Sequence, residues 1–351
     1  MGGTFPRIWF DGLQSLRGML FLLVFVSHSG AFFRTDGAYG AMAVSAFFVL
    51  SGFLCGTSRE ERSGSLPAQC IGSLWRKLRR FWPVYAAMLP VAAMLNPCGG
   101  WDFLKCLFLV QSYFGDAETA LRLNWPTWFL SSILLSYLLS PVLVRVSRGL
   151  GRHAPWAILS LWAAELCWAW FWRGTKAAVT DPGYYWVYVC PLARLADFAM
   201  GTILGECFLR RRQNCDGVSV PPVFRECLVA LLAILSMLCH ARFPVSFSGS
   251  ALWAPVSASL IWVFALREGP LTRACGAKWL MWTGRRSFEL YVVHRMVLLF
   301  VCRVAAASPA TWLVSLLATC VVAEFLASAD AAARSWMHGR ARFAGHGREF
   351  V

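Results

Sequence analysis

Long apolar stretches, separated by short polar ones, run through almost the whole chain. Ten of them have about the length that a helix needs to cross the hydrocarbon core of a bilayer. They lie at residues 13–33, 41–57, 81–96, 127–144, 155–172, 184–208, 226–242, 251–266, 287–306 and 310–328. The pattern predicts an all-α, polytopic integral membrane protein with about ten transmembrane helices.

A further apolar segment, at residues 103–114, is shorter and contains Lys105 and Gln111. It is either an eleventh span or a short re-entrant or interfacial segment. Basic residues concentrate in cytoplasmic loops, and here the Lys and Arg blocks fall on one side only if the segment does not cross. We therefore predict ten spans plus one re-entrant or interfacial segment, with both termini cytoplasmic, in a multi-pass protein of the cell (inner or plasma) membrane.

Composition supports a membrane protein over a nucleic-acid-binding one. Hydrophobic residues make up 58% of the 351, and the net charge of +15 comes from short basic blocks between apolar runs. The thirteen cysteines include no CxxC pair, so neither a disulfide framework nor a metal site is expected.

Residues 1–333 read as one transmembrane domain and 334–351 as a basic cytoplasmic tail. Tryptophans near the span ends, such as Trp82, Trp128 and Trp253, are expected in interfacial belts.

Arg17 and His28 are the most unusual polar residues, because they lie within the first apolar stretch. Eleven residues at about 100° each return a helix to within about 20° of its starting direction, about 16 Å further along the axis. The two side chains therefore share one helix face. Ionisable groups inside a membrane are costly and default to a functional hypothesis. By itself the pair also fits a structural polar contact.

The features that follow are specific in their order. After DGLQSLRG and the Arg17 to His28 spacing come FFVLSGFL at 47–54 and LWRKLRRFWPVY at 74–85. This order resembles the acyltransferase 3 family of membrane-bound acyltransferases. Weaker similarities are PTWFLSSILLSYLLSPVL at 126–143, RLADFAMGTILG at 194–205 and FELYVVHRMVL at 288–298. One departure is that Ile133 and Leu134 occupy positions where many members have a Glu. Any role of that Glu as an acid is therefore not expected in this chain.

The resemblance implies transfer of an acyl group, usually acetyl, from cytoplasmic acyl-CoA to a hydroxyl of a carbohydrate or other cell-envelope molecule. No cofactor is expected to stay bound, since acyl-CoA is a co-substrate. Arg17 is expected to hold the donor, and His28 either to deprotonate the acceptor or to carry the acyl group itself. The sequence leaves both routes open. The residues expected to bind acyl-CoA are Phe47, Phe48, Ser51, Gly52, Arg76, Arg79 and Arg80.

These assignments have structural alternatives. Ser51 and Gly52 suit close helix packing, and the arginine loop at 76–80 suits a topology signal facing anionic headgroups. Four further residues are candidates for acceptor binding or support: Arg194, Asp197, Glu289 and His294. Arg194 and Asp197 are three apart and suit mutual neutralisation, whereas Glu289 is placed to orient a histidine of another span.

A second class of function is a ten-span transporter or flippase of an envelope lipid or glycan precursor. Such proteins often contain paired half-repeats with matching broken helices, and no such symmetry is visible in this sequence. A third class is a non-catalytic membrane scaffold. Such a protein would have no use for the Arg17 and His28 pair, although ionisable groups inside a membrane are energetically costly. The expected partners are an acyl-CoA donor, an envelope acceptor and the lipid bilayer, and no nucleic acid.

Overall fold

The computed structural model describes residues 10–33, 38–58, 63–214 and 220–346. All regular structure in these residues is helical, which confirms the all-α prediction. The helices are α1 Asp11–Ser27, α2 Ala38–Gly56, α3 Leu66–Leu95, α4 Gly100–Leu107, α5 Ala117–Leu121, α6 Trp128–Gly149, α7 Ala154–Phe171, α8 Pro182–Tyr184, α9 Pro191–Asn214, α10 Pro222–Cys239, α11 Val245–Ser248, α12 Ala254–Leu266, α13 Pro270–Ala274, α14 Lys278–Arg285, α15 Ser287–Val304 and α16 Pro309–His346.

Each of the ten predicted stretches contains a helix. By length and composition, five helical segments of the described chain are able to cross a membrane: Tyr39–Gly56, Trp125–Gly149, Pro182–Asn214, Pro222–Arg242 and Pro309–Trp336. Several of the other helices are shorter. Helix α1, for example, has 17 residues. The full count of ten spans stays a prediction.

The segment at 103–114 forms the end of α4 and a single 3₁₀ turn, Gln111–Tyr113. Helix α4 has eight residues, or about 12 Å of helix, too short to cross a hydrocarbon core of about 30 Å by itself. Two polar side chains here are buried against the start of α6: Gln111 donates to the Thr127 carbonyl at 3.3 Å and Ser112 to the Trp128 carbonyl at 3.1 Å.

Helices α2 and α9 pack in close backbone contact. A Cβ atom at Gly52 would overlap the Phe198 carbonyl oxygen of α9, and a Cβ atom at Gly201 would overlap the Val49 carbonyl oxygen of α2. Glycine removes the side chains that would otherwise hold the two helices apart. The pair therefore forms the tight centre of the bundle.

Helix α1 lies inside the bundle and is fixed on two sides. Gly18 packs against the Leu280 carbonyl of α14, and Gly284 of α14 packs against Gln14. On another side, Phe21 and Phe25 share a buried cluster with Leu290 of α15. This packing sets the position of both Arg17 and His28.

One prediction about surfaces is corrected, and the division at 333/334 stays a prediction. Helix α16 runs from Pro309 to His346 and so passes through this position. Trp128 and Trp253 are 2% and 0% exposed. They belong to the bundle interior and not to an interfacial belt, because residues elsewhere in the chain cover them.

Candidate functional site

The His28 side chain meets a second histidine from a distant part of the chain. His28 caps the C-terminal end of α1, and its Nδ1 lies 3.0 Å from Nε2 of His294 on α15. His294 is completely buried. Its other ring nitrogen, Nδ1, lies 2.8 Å from the carbonyl oxygen of Tyr291. Phe21 and Phe25 pack on the His294 ring and leave it no aqueous partner.

These distances assign the hydrogens of the neutral pair. A carbonyl oxygen only accepts, so His294 Nδ1 carries a hydrogen and donates it to Tyr291. His294 Nε2 then has a lone pair and accepts a hydrogen from Nδ1 of His28. The remaining nitrogen of His28, Nε2, is left with a free lone pair. The chain of hydrogen bonds thus holds His28 in the form that accepts a proton.

A cavity of about 430 Å³ lies beside His28. Its wall contains residues of α1, α2 and α15 together with the 3₁₀ turn Trp125–Thr127 and the π-helical turn Tyr185–Val189. The members that carry polar groups are Ser27, His28, Trp125, Trp128, Tyr184, Tyr188, Tyr291, Arg295 and Cys302. A volume of this size is within the range of about 300–1,000 Å³ typical of small-molecule sites.

The end of α1 at His28 is held firmly. Ser29 donates to the Phe25 carbonyl at 2.8 Å and accepts from the indole nitrogen of Trp312 at 2.8 Å. The position of the His28 ring relative to the cavity is therefore determined by α1, α15 and α16 together.

The environment of Arg17 is different. Its Nε is buried and has no hydrogen-bond partner among the described residues. Arg17 interacts electrostatically with Tyr137 and with Arg80 of α3, and the Lys77 ammonium lies 4.7 Å from the centre of the Tyr137 ring. Three side-chain oxygens of α1, α6 and α15 are also buried without a hydrogen-bond partner among the described residues: Gln14 Oε1, Ser136 Oγ and Glu289 Oε2.

The three arginines expected in a loop lie instead on α3, which already begins at Leu66. Arg76, Arg79 and Arg80 are exposed. Of the three, Arg80 interacts electrostatically with Arg17, and its carbonyl accepts a hydrogen bond of 2.7 Å from Arg334 of α16. Arg76 and Arg79 are further positive charges on the same helix.

The FFVLSG element takes part mainly in packing between helices. Phe48 is fully buried with its ring 4.8 Å from that of Phe129, and Phe47 packs on Tyr291 at 6.4 Å between ring centres. Because the Phe198 carbonyl fills the space beside Gly52, that glycine does not offer its backbone to a donor there. We correct its assignment to helix packing. Ser51 is half-buried on the same helix.

Arg194 and Asp197 form a completely buried ion pair on α9, with Nη1 and Oδ2 3.5 Å apart. Asp197 also accepts hydrogen bonds from Ser45 at 2.8 Å and Ser250 at 3.0 Å. The Arg194 guanidinium lies 4.9 Å from the centre of the Tyr188 ring, which lines the cavity. The pair therefore supports the cavity wall from behind.

Among the described side chains, Glu289 makes no hydrogen bond to a histidine. It interacts electrostatically with Arg286 and Arg80, on the Arg17 side of the bundle, whereas the partner of His28 is His294. Sequence reasoning missed Glu165, a 7% exposed acid on α7 that interacts electrostatically with Asp197 and Arg194 and lies close to Ser250. A lone acid within an apolar stretch was the available signal.

Comparisons with known proteins agree with one another. The profile of the acyltransferase domain family matches residues 10–328. A protein described as acyltransferase MdmB, from Streptomyces mycarofaciens, is 28% identical over 184 residues, which cover 47% of this chain and 46% of that protein. The chain thus aligns with about half the length of this curated relative. No solved structure is significantly similar to the chain.

Proposed function

Because the chain belongs to the acyltransferase 3 family, we propose that this acyltransferase is an integral-membrane O-acyltransferase. It transfers an acyl group, and most simply acetyl, from acyl-CoA in the cytoplasm to a hydroxyl of a cell-envelope carbohydrate or similar acceptor. The donor and acceptor meet at His28. Membership in an acyltransferase family leaves no reason to retain the transporter or flippase alternative.

The observation that carries the proposal is the hydrogen-bond chain from the Tyr291 carbonyl through His294 to His28. It leaves the Nε2 lone pair of His28 beside a cavity large enough for a small acceptor. A base must be within hydrogen-bond reach of the proton that it removes, and imidazole suits this task near neutral pH. His294 positions the ring and stabilises the imidazolium that forms.

The reaction then balances as follows. His28 Nε2 takes the proton of the acceptor hydroxyl while the hydroxyl oxygen attacks the thioester carbonyl carbon. The carbon–sulfur bond breaks and the new ester remains. The proton on His28 passes to the departing sulfur, which leaves as the thiol of coenzyme A. General-base catalysis of this kind contributes about 10²–10⁴-fold to a rate.

The region around Arg17 suits the donor. Coenzyme A carries several phosphate groups, which the arginines of α3 are able to bind, since a guanidinium matches phosphate geometry. Its pantetheine arm contains two amide groups, for which Arg17 Nε and Gln14 Oε1 of α1, both without a hydrogen-bond partner among the described residues, are candidate partners. The separation of about 16 Å from Arg17 to His28 along α1 is a length that this arm can bridge.

The proposed topology follows the charge pattern. Ten helices cross the inner or plasma membrane, both termini are cytoplasmic, and residues 103–114 form an interfacial or re-entrant segment. In this arrangement Arg17 and α3 face the cytoplasmic donor, and His28 and the cavity face the envelope acceptor.

The direct test is transfer of label from acetyl-CoA to envelope material in membranes that contain the protein. We expect His28→Ala to lower the rate by about 10²–10⁴-fold, because the base is lost. His153→Ala is the matched control, since His153 is an exposed histidine that does not line the cavity, and it should keep full activity.

If His28→Ala keeps full activity while its expression and thermal stability match the parent protein, the assignment of His28 is wrong. If the parent protein transfers label to no envelope fraction, the proposed donor or acceptor is wrong.

A further inference from the structure

One face of α15 lines the cavity and presents a cation to it. Tyr291, Arg295, Leu298, Leu299 and Cys302 all contribute to the wall. Their spacing of three or four residues places them on a single stripe of the helix. His294, one position earlier than Arg295, points away from this stripe to His28. Helix α15 thus supports the base with one face and presents Arg295 with another.

Arg295 has no acidic partner in the described chain. No ion pair or hydrogen bond of its guanidinium occurs among the described residues, and none of the residues that line the cavity is Asp or Glu. The centre of the Trp125 ring lies 5.6 Å from the guanidinium carbon, and Arg295 also interacts electrostatically with His28 and His294. In contrast, Arg194 in the same half of the bundle has Asp197.

An unpaired cation at this depth is costly, and intramembrane arginines normally pair or contact a substrate. Arg295 faces a cavity with no negative charge in its described wall. A ligand with an anionic group would supply the missing partner, and the planar fork of arginine matches a carboxylate or a phosphate.

The rest of the wall suits a ring with hydroxyl groups. Trp125, Trp128, Tyr184, Tyr188 and Tyr291 contribute five aromatic side chains to the cavity. Tryptophan and tyrosine combine a flat apolar surface with a polar edge. Such walls can cover the apolar face of a sugar ring while the polar edges meet its hydroxyls.

We propose that the acceptor is a hydroxylated molecule, of the sugar class, that also carries an anionic group, and that Arg295 binds this group while His28 faces the hydroxyl. This inference rests on the proposed function, because it names the substrate class of the same site. Arg295 is then a specificity-determining residue of the acceptor cavity. A carboxylate and a phosphate share the relevant chemistry.

The first experiment measures binding without a donor. The full-length protein in nanodiscs of neutral lipid is titrated with glucuronic acid, glucuronic acid methyl ester, glucose and glucose 6-phosphate. We expect the two anions to bind about tenfold to a hundredfold more tightly than the neutral pair, as a charge-assisted hydrogen bond implies. The preference should disappear in Arg295→Gln and persist in part in Arg295→Lys.

Arg303→Gln is the matched control. Arg303 lies on the same helix, is exposed and donates to the Leu95 carbonyl, so this substitution removes the same charge without altering the cavity. Equal binding of charged and neutral ligands by the parent protein overturns the proposal, as does an equal loss in Arg303→Gln. Comparison of the uronate with the phosphate distinguishes the two anions.

The second experiment needs no knowledge of the acceptor. Label is transferred from acetyl-CoA to an envelope extract, and the products are separated by anion exchange. Retained label supports the proposal, whereas label in the neutral fraction overturns it. If no label is transferred at all, the proposed function fails and the binding experiment alone decides the role of Arg295. An equal fall for charged and neutral acceptors in Arg295→Gln would assign Arg295 to the reaction and not to acceptor choice.

Discussion

The two ends of α1 carry comparable ionisable side chains in contrasting environments. At the His28 end the groups that hold the base are satisfied within the protein: His28 bonds to His294, His294 to the Tyr291 carbonyl, and Ser29 to Trp312. At the Arg17 end, Arg17 Nε and Gln14 Oε1 are buried and have no hydrogen-bond partner among the described residues. Buried polar groups are normally hydrogen-bonded. The His28 ring is therefore held in place without a substrate, whereas our proposal assigns the partner of the Arg17 end to the bound donor.

The first way to break this contrast is to remove the partner of His28. His294→Leu removes the acceptor that His294 Nε2 offers to His28, so the ring is held less firmly in its orientation. We expect kcat to fall by about tenfold to a hundredfold, with the KM for acyl-CoA unchanged. His294→Gln should recover part of the loss, because the amide oxygen can accept in place of Nε2. Steady-state kinetics with acetyl-CoA measure both values.

Rescue by glutamine is the decisive readout for His294. If the Leu and Gln variants are equally impaired, or if KM for the donor rises in parallel with the fall in kcat, His294 does not position His28. A purely structural role would lower thermal stability in both variants alike.

The second prediction concerns the Arg17 end. Arg17→Gln removes a cation that we expect to bind the donor. The KM for acetyl-CoA should therefore rise by about tenfold, with a smaller change in kcat at saturating donor. Arg285→Gln, which removes an exposed arginine near the end of α14, should leave KM unchanged. An unaltered KM in Arg17→Gln would remove Arg17 from the donor site.

The third and smallest expected effect is on the exposed arginines of α3. The double substitution Arg76→Gln with Arg79→Gln should raise the KM for acetyl-CoA roughly threefold, since exposed ion pairs contribute little. The effect should shrink at high salt, because salt screens exposed charges. Arg145→Gln with Arg152→Gln removes two exposed arginines elsewhere and serves as the control. Equal shifts in both pairs would indicate a general charge effect.

Hydropathy predicted where helices occur but not how far they extend. An apolar stretch of membrane length has to be helical to satisfy its backbone, so each of the ten predicted stretches contains a helix. Helix α3 nevertheless begins at Leu66 and not at 81, and α16 runs on to His346. These additions are polar or amphipathic, and hydropathy does not detect them although they continue a helix. The arginines of α3 were placed in a loop for the same reason.

The site was predicted only as far as local spacing allowed. The spacing from Arg17 to His28 indicated a shared face, because it depends on a single helix. The partner of His28 is 266 residues away in the sequence, and no local pattern specifies that contact. For Gly52 the sequence indicated the residue but not its neighbour. Only the position of α9 shows that the Phe198 carbonyl occupies the space beside this glycine.

The carbonyl group at the end of the histidine chain limits where a proton can travel. The Tyr291 oxygen accepts a hydrogen from His294, but an amide oxygen is far too weakly basic to relay it onward. A proton taken up by His28 therefore meets a dead end inside the helices and has to return to the substrates, where the departing sulfur receives it. In the proposed reaction the hydroxyl proton of the acceptor leaves on the thiol of coenzyme A, so each turnover releases no free proton on either side of the bilayer.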